Sequence, residues 1–371
     1  MKRILVGYAT NGNNSGINKY LFNFIKQVKA NNDIKIDVLS SDVGNVLKLK
    51  MKELNCTLYE IPSLKHPIKR YKAICEIINK NKYDITYSNI SESFNCCLDM
   101  AARKCKVPRI VVHSHSTKPS GQSALVRKVR TVINNIFKRK LHKCCTEFVA
   151  CSKEAGEWLF LNKDVNSKKF HVINNTIEFK DYYYDEKKRK KFREEYKISN
   201  NDIVLGNIGN FEYQKNQMFL LKMLKELLNE NNNYKLMLIG TGSQKDEFKE
   251  YIKENNMKDK VIFTGVINNV HEVLNAMDVF LFPSMFEVFG IVALEAQVNG
   301  LPTVISEYVP KMVKVSKEVY QLPLDMNKWM KKTKELAKLE RTKANLNEDA
   351  YQYDNSNIEQ FKYIIGDDKN E

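Results

Sequence analysis

Short apolar runs of strand length alternate with amphipathic, helix-like stretches along this chain, in two successive series. That pattern constrains the fold more than any other property of the sequence. In the first series the strand candidates are Arg3–Gly7, Ile34–Leu39, Ile85–Ser88, Arg109–His113 and Glu147–Ala150. Between them, Asn18–Ala30 carries Leu21, Phe22, Ile25 and Val28 at helical spacing, and Ile68–Asn79 carries Ile74, Ile77 and Ile78. In the second series Ile203–Ile208, Lys235–Ile239, Lys260–Thr264, Val279–Phe282 and Thr303–Ile305 alternate with Gln217–Asn229, Ser243–Asn255, Val270–Asn275 and Gly290–Asn299. Strands joined through helices run parallel. Two such series predict an α/β chain of two Rossmann-like, doubly wound domains, and 371 residues suffice for two cores. The boundary is predicted near Asn174-Asn175. That gives domains at residues 1–175 and 176–355, with 356–371 as a C-terminal helix returning to the first domain.

The formal charge is +16, and its distribution says more than its size. Residues 1–175 hold 31 Lys and Arg against 13 Asp and Glu, whereas residues 176–371 hold 29 against 31. All the excess lies in the first half, where it favours a polyanionic partner: nucleic acid, or an anionic membrane surface. No apolar run reaches the roughly 18–20 residues of a membrane-spanning helix. Met1-Lys2-Arg3 is basic, but Ile4–Tyr8 is too short for a signal-peptide core and reads as a strand. The eight cysteines include no C-x-x-C pair. The doublets Cys96-Cys97 and Cys144-Cys145 suit neither a zinc cage nor an easy disulfide, which points to reduced thiols in the cytoplasm.

The segment that carries chemistry runs from Pro283 to Pro302. A loop at the carboxyl end of a parallel strand is where α/β proteins bind ligands, and Pro283–Gly290 follows the strand Val279–Phe282. Gly290 sits where loop becomes helix, so backbone N–H groups can approach an oxyanion there. Glu287 lies in the loop and Glu295 in the early turns of the helix. Carboxylates accept from two hydroxyls at once, which suits vicinal diols of a sugar or ribose. The spacing of two glutamates alone is weak evidence. Here Pro283-Ser284 precedes it, Phe289-Gly290 lies within it, and Gly300-Leu301-Pro302 follows.

Together these residues resemble the family 4 group of retaining, GT-B glycosyltransferases, with its pattern P-S-x-x-E-x-F-G-x-x-x-x-E-A and then G-x-P. The resemblance implies a GT-B fold, two Rossmann-like domains facing a central cleft. It implies that Glu287 contacts the transferred sugar, that Glu295 binds the nucleotide ribose, and that the Val288-Phe289-Gly290-Ile291 backbone faces sugar and diphosphate. Gly209–Asn216 is similar to the family's phosphate element G-R-F-x-x-x-K-N. Lys215 matches its lysine, but Asn210 stands where the arginine would be; either leaving-group stabilisation is weaker, or another cation substitutes, Arg109 or Lys311 for instance. Asn14-Ser15-Gly16 is similar to the family's Gly-Gly loop, with Gly16 near the donor. Thr264-Gly265-Val266 is similar to its base-contacting turn. Gly240-Thr241-Gly242 lacks the third glycine of a dinucleotide fingerprint and reads as fold punctuation. The family places a histidine near the reacting sugar; His113 matches best and His115 is the alternative. Two histidines at i, i+2 in a strand share a face, but no acid or thiol lies close in sequence, so no metal and no other cofactor is expected.

Arg127–Lys143 holds seven basic residues and no acid, interleaved with Val129, Val132, Ile133, Ile136, Phe137 and Leu141. Such a helix either packs its apolar face into the domain or lies on an anionic membrane. The expectation is therefore a hexosyltransferase at the inner face of the plasma membrane. It would move a sugar from a nucleotide-sugar to a saccharide, lipid-linked in the first instance, in surface polysaccharide (capsule or exopolysaccharide) synthesis. Two other classes compete. A nucleotide-sugar epimerase of the same architecture would convert donor without acceptor. A nucleic-acid-binding protein would need stacking aromatics or a recognition module, which the sequence lacks.

Overall fold

In the computed structural model of the chain, the described residues are 1–12, 16–31, 33–119, 124–267, 270–341, 343–347, 350 and 361–366. The chain divides into two compact units, Met1–Thr176 with Asn355–Glu371, and Ile177–Asp354.

Among the described residues, the first unit holds a seven-stranded sheet of β1 (Lys2–Ala9), β2 (Ile34–Ser40), β3 (Thr57–Glu60), β4 (Ile85–Ile90), β5 (Arg109–Ser114), β6 (Glu147–Ala150) and β7 (Phe170–Val172). Its order is β3-β2-β1-β4-β5-β6-β7, and neighbours pair in parallel. The second unit holds β8 (Ile203–Ile208), β9 (Tyr234–Ile239), β10 (Val261–Gly265), β11 (Val279–Phe282), β12 (Thr303–Ser306) and β13 (Val319–Leu322) in the order β10-β9-β8-β11-β12-β13, again parallel. In both sheets the winding direction reverses beside the first strand, between β1 and β4 and between β8 and β11. Such a switch point opens a crevice at the strands' carboxyl ends.

Alternation along the strands builds a core on each face. In the second unit Phe280 and Phe282 point to one side with Val204, Ile208 and Met237, while Val279 and Leu281 point to the other with Leu205, Leu236 and Leu238. The helix Gln217–Glu230 covers the latter side with Leu220, Leu224 and Leu227, one stripe at helical spacing. Each unit also holds one tryptophan. Trp158 donates from Nε1 to the Ser91 carbonyl at 2.7 Å, and the fully buried Trp329 donates to the Pro323 carbonyl at 2.9 Å.

The turn of helix Lys362–Ile365 packs into the first unit. Phe361, Ile364 and Ile365 join the core with Ile4, Val6 and Phe24. Lys2 Nζ donates to the Ile365 carbonyl at 3.0 Å, and Arg109 Nη2 donates to the Tyr363 carbonyl at 2.7 Å.

The basic helix spans Ala124–Cys144, and its apolar residues divide. Leu141 is buried, but Leu125, Val129, Val132 and Ile136 are 72, 50, 59 and 59% exposed. Their spacing places these four on one outward stripe. The inward side is fastened by polar groups instead. Buried Asn134 donates from Nδ2 to the Trp158 carbonyl at 2.7 Å and accepts the Ser93 N–H at 2.6 Å. Arg130 pairs with Glu92 at 2.8 Å. Packing into the domain thus accounts for only part of the helix's apolar content. No helix among the described residues is long and apolar enough to cross a membrane.

Candidate functional site

The switch point of the second sheet brings the two sequence-identified loops together. After β8 the chain runs through Gly209–Asn216, and after β11 through Pro283–Gly290. Backbone and side-chain amide hydrogen bonds join them. Met285 N–H donates to the Gln214 carbonyl at 2.7 Å, Gln214 Nε2 donates to the Phe286 carbonyl at 2.8 Å, and Asn216 Nδ2 donates to the Pro283 carbonyl at 3.3 Å. The two loops hold each other's shape before any ligand arrives.

Across this junction Lys215 Nζ meets Glu287 Oε1 at 2.5 Å, with the side chains only 18 and 9% exposed. The Lys215 ammonium also lies 4.9 Å from the centre of the Phe282 ring, whose π face attracts it. In a partly dry setting such a pair interacts more strongly than one in open water, and each charge depends on the other.

Gly290 adopts φ 89°, a left-handed conformation that favours glycine, and starts the helix Ile291–Val298. The turn sends the Phe289 side chain into the core, leaving backbone as its contribution to the crevice, while Val288 and Ile291 are half-buried. Glu295, on the first turns of that helix, is fully buried, and Tyr182 donates its hydroxyl proton to Glu295 Oε1 at 2.9 Å. Tyr182 is a site residue that sequence reading missed. The only sign was a run of tyrosines, Tyr182–Tyr184, in an otherwise charged stretch.

A third loop completes the crevice edge. Gly240 has φ 138°, and a Cβ there would lie 2.2 Å from the Gly209 carbonyl oxygen, so only glycine allows the two loops to touch. Phe211 N–H donates to the Thr241 carbonyl at 2.9 Å. Gly240-Thr241-Gly242 is thus packing at the crevice edge. Val266 follows β10 and is exposed; Asn268 and Asn269 lie outside the described residues.

Asn210 is exposed at the position of the expected arginine. Of the two substitute cations, Arg109 is ruled out. It begins β5, at the strand end opposite the histidines, and is committed to Glu147 at 3.6 Å and to the Tyr363 carbonyl. Lys311 is exposed in the segment after β12 and close to Val309, which approaches Gly290.

In the first unit β5 presents the two histidines, and the structure separates their roles. His113 is fully buried; its Nδ1 meets the Tyr87 hydroxyl at 2.6 Å, which meets the Tyr20 hydroxyl at 2.8 Å, and its Nε2 has no hydrogen-bond partner among the described residues. His115 is only half-buried, its ring 4.0 Å from that of His113. Burial holds both imidazoles well below the usual histidine range, with each other's proximity adding to the shift at His113, so both are neutral. Asn89 Nδ2 donates to the Gly7 carbonyl at 3.2 Å, which turns Asn89 Oδ1 toward His115 Nε2 at 2.9 Å. Neutral His115 therefore carries its proton on Nε2 and offers Nδ1 as an acceptor. Gly16 opens the helix Gly16–Asn31, and buried Asn18 holds the preceding turn by accepting the Thr10 N–H at 3.1 Å. Asn14 and Ser15 lie outside the described residues.

Comparison with known proteins agrees with this geometry. Residues 14–180 match the family model described as Glycosyltransferase Family 4, and residues 188–355 match that of Glycosyl transferases group 1. EpsF of Bacillus subtilis (strain 168), whose name places it among glycosyltransferases, is 29% identical over 214 residues, 58% of this chain and 55% of that protein. The UDP-Gal:alpha-D-GlcNAc-diphosphoundecaprenol alpha-1,3-galactosyltransferase of Escherichia coli is 26% identical over 254 residues, 67% of this chain and 64% of its own. The matched stretch thus spans between about half and two thirds of these relatives. The crystal structure of Anabaena Alr3699/HepE with UDP and glucose superposes with a TM-score of 0.77 at 16% identity, covering 99% of this chain and all of that one. The fold class is GT-B, with two Rossmann-like domains.

Proposed function

We propose, for a chain that belongs to the glycosyltransferases with a family 4 first half and a group 1 second half, that it transfers a hexose with retention from a UDP-sugar to a lipid-linked saccharide in surface polysaccharide synthesis. The observation that carries this reading is the Lys215–Glu287 pair at the switch point of β8 and β11. A donor brings a complement for each member of the pair to that place. Its diphosphate takes the ammonium, and its sugar hydroxyls take the carboxylate.

The bond from the anomeric carbon to the phosphate oxygen breaks, and the electron pair leaves with the diphosphate. Lys215 and the amino end of the helix Ile291–Val298 face that growing negative charge, where fixed donors act without reorganising. Glu287 accepts from sugar hydroxyls and favours the positive charge developing at the ring. The acceptor hydroxyl attacks from the face the diphosphate leaves, and its proton passes to the leaving phosphate oxygen. In the first unit, Nδ1 of neutral His115 is an acceptor of the kind a sugar hydroxyl needs, and the ring of His113 packs against it. Glu295 takes the ribose. No step in this scheme calls for a metal ion.

UDP is the first nucleotide to test, because relatives of this chain are named for UDP or a UDP-sugar. The lipid-linked acceptor rests on the same Escherichia coli relative, named for a diphosphoundecaprenol substrate, and on the helix Ala124–Cys144. Its outward aliphatic stripe lies beside exposed Lys128, Arg139, Lys140 and Lys143. Aliphatic residues flanked by cations suit an anionic bilayer surface, where this chain would lie as a peripheral protein. The deciding experiment incubates UDP-hexose with saccharide acceptors and resolves the product anomer by NMR. An α-linked product from an α-donor supports the reading. An inverted product overturns retention, and donor conversion without acceptor supports the epimerase instead.

A further inference from the structure

The stretch Phe179–Ile198 reads in the sequence as a charged, tyrosine-rich boundary between domains. The structure assigns one of its residues to the donor site: we infer that Tyr182 is the positioning residue that sets the Glu295 carboxylate for a ribose. The inference rests on the reading of Glu295 given above and adds to it a residue 113 positions away in sequence.

Tyr182 is tied twice to the helix Ile291–Val298. At its tip, the hydroxyl donates to Glu295 Oε1 at 2.9 Å. At its backbone, the carbonyl accepts from Asn299 Nδ2 at 2.8 Å, and Asn299 is the residue that ends the same helix. Asn299 is itself fixed, with Nδ2 at 3.1 Å from Asn275 Oδ1 and Oδ1 accepting from Arg341 Nη2 at 2.6 Å. The tyrosine thus spans one turn of helix, held at its C-terminal cap and gripping the carboxylate one turn before it. Its ring packs edge-on against His271, with ring centres 5.8 Å apart. The Tyr182 phenol is pushed up by burial and by the adjacent Glu295 charge, so it stays a donor across the working pH range.

A glutamate side chain has three rotatable bonds, and a diol is bound only when the carboxylate plane is correctly turned. A phenol locked to the same helix removes that freedom in advance. Tyr182 touches no sugar in this scheme. It decides how well Glu295 distinguishes a ribose from its deoxy counterpart.

The test compares UDP with 2′-deoxy-UDP and 3′-deoxy-UDP by calorimetry on the full chain, for wild type, Tyr182→Phe and Glu295→Gln. Tyr182→Phe keeps the ring and the backbone bond to Asn299. The expected result is a UDP Kd about fivefold weaker, the scale of losing one hydrogen bond to a charged group at one remove. Deoxynucleotide affinity should hardly move, so the ribo/deoxy preference shrinks, and kcat at saturating donor should stay within about twofold. A purely structural role would lower the ligand-free melting temperature and weaken all three nucleotides alike, and that outcome overturns the inference. An unchanged preference in Tyr182→Phe beside a collapsed one in Glu295→Gln also overturns it, while sparing the ribose reading of Glu295. An unchanged preference in Glu295→Gln removes the ribose reading itself, and the role of Tyr182 falls with it.

Discussion

The loop junction of the second unit and the helix Ala124–Cys144 of the first treat their chemistry in opposite ways. At the junction, the charged groups proposed to bind the donor already hold partners inside the protein. Lys215 pairs with Glu287, Tyr182 donates to Glu295 Oε1, and backbone hydrogen bonds such as Met285 N–H to the Gln214 carbonyl tie the loops together. On the helix, polar Asn134 is turned inward and bonded, while aliphatic side chains, Leu125, Val129, Val132 and Ile136 among them, stand in water. On the proposed reading, the first arrangement exchanges partners when a small ligand arrives. On the same reading, the second leaves apolar area in water that an extended apolar surface would cover.

The sharpest way to break this contrast is Glu287→Gln. If the pair is a placeholder, removing the carboxylate lowers transfer by about 10²–10³-fold. It also leaves the Lys215 ammonium without its counter-charge, so UDP should bind several-fold more tightly. Steady-state turnover and calorimetry read the two arms, and a variant that loses both affinity and turnover would refute the exchange. The next effect is on the helix. Val129→Glu with Ile136→Glu should cut partition onto anionic vesicles about tenfold or more in flotation, with the thermal shift by UDP unchanged. Equal flotation of wild type on anionic and neutral vesicles would sink the membrane reading outright.

A third test concerns what lies beneath the first unit's surface. Asp99 is fully buried, with Ser88 Oγ donating to Oδ1 at 2.7 Å, and burial pushes its carboxyl up to about 7. A carboxyl raised in the folded state favours folding while protonated. That contribution is whole below about pH 4 and is lost as pH rises toward 7. Asp99→Asn should therefore raise the melting temperature by a few degrees at pH 8 and leave it unchanged near pH 4. The smallest effect is expected from Asn210→Arg, which adds a second cation beside the diphosphate. UDP affinity should rise by roughly two- to fivefold, sharpening the picture of a junction one charge short.

What the sequence conceals follows from burial. The strands visible in it are mostly central ones with continuous apolar runs. The ones that escape notice, β3, β7 and β13, are all sheet edges. Their residues are mixed and half-exposed, so neither alternation nor an apolar run marks them. In the site, Lys215, Glu287, Gly290 and Glu295 are legible because local spacing around strand ends displays them. Tyr182 and Asn89 are not, since each acts through a partner far along the chain or on a neighbouring strand. The histidines fall between the two cases. Their i, i+2 spacing announces a shared face, but only the packing of Tyr20 and Tyr87 decides that His113 is sealed and His115 is not.

The segment Phe361–Gly366 belongs to the core of the first unit although all of the second unit precedes it in sequence. Synthesis runs in the opposite sense to assembly. At about 5–20 residues per second, the ribosome spends roughly 10–40 s between delivering Thr176 and delivering Phe361. Throughout that interval the first unit lacks the aromatic plug that covers Tyr20 and Phe24. The unit translated first is therefore the last to be finished, and a nascent chain arrested before Phe361 should present a protease-sensitive first half beside a resistant second half.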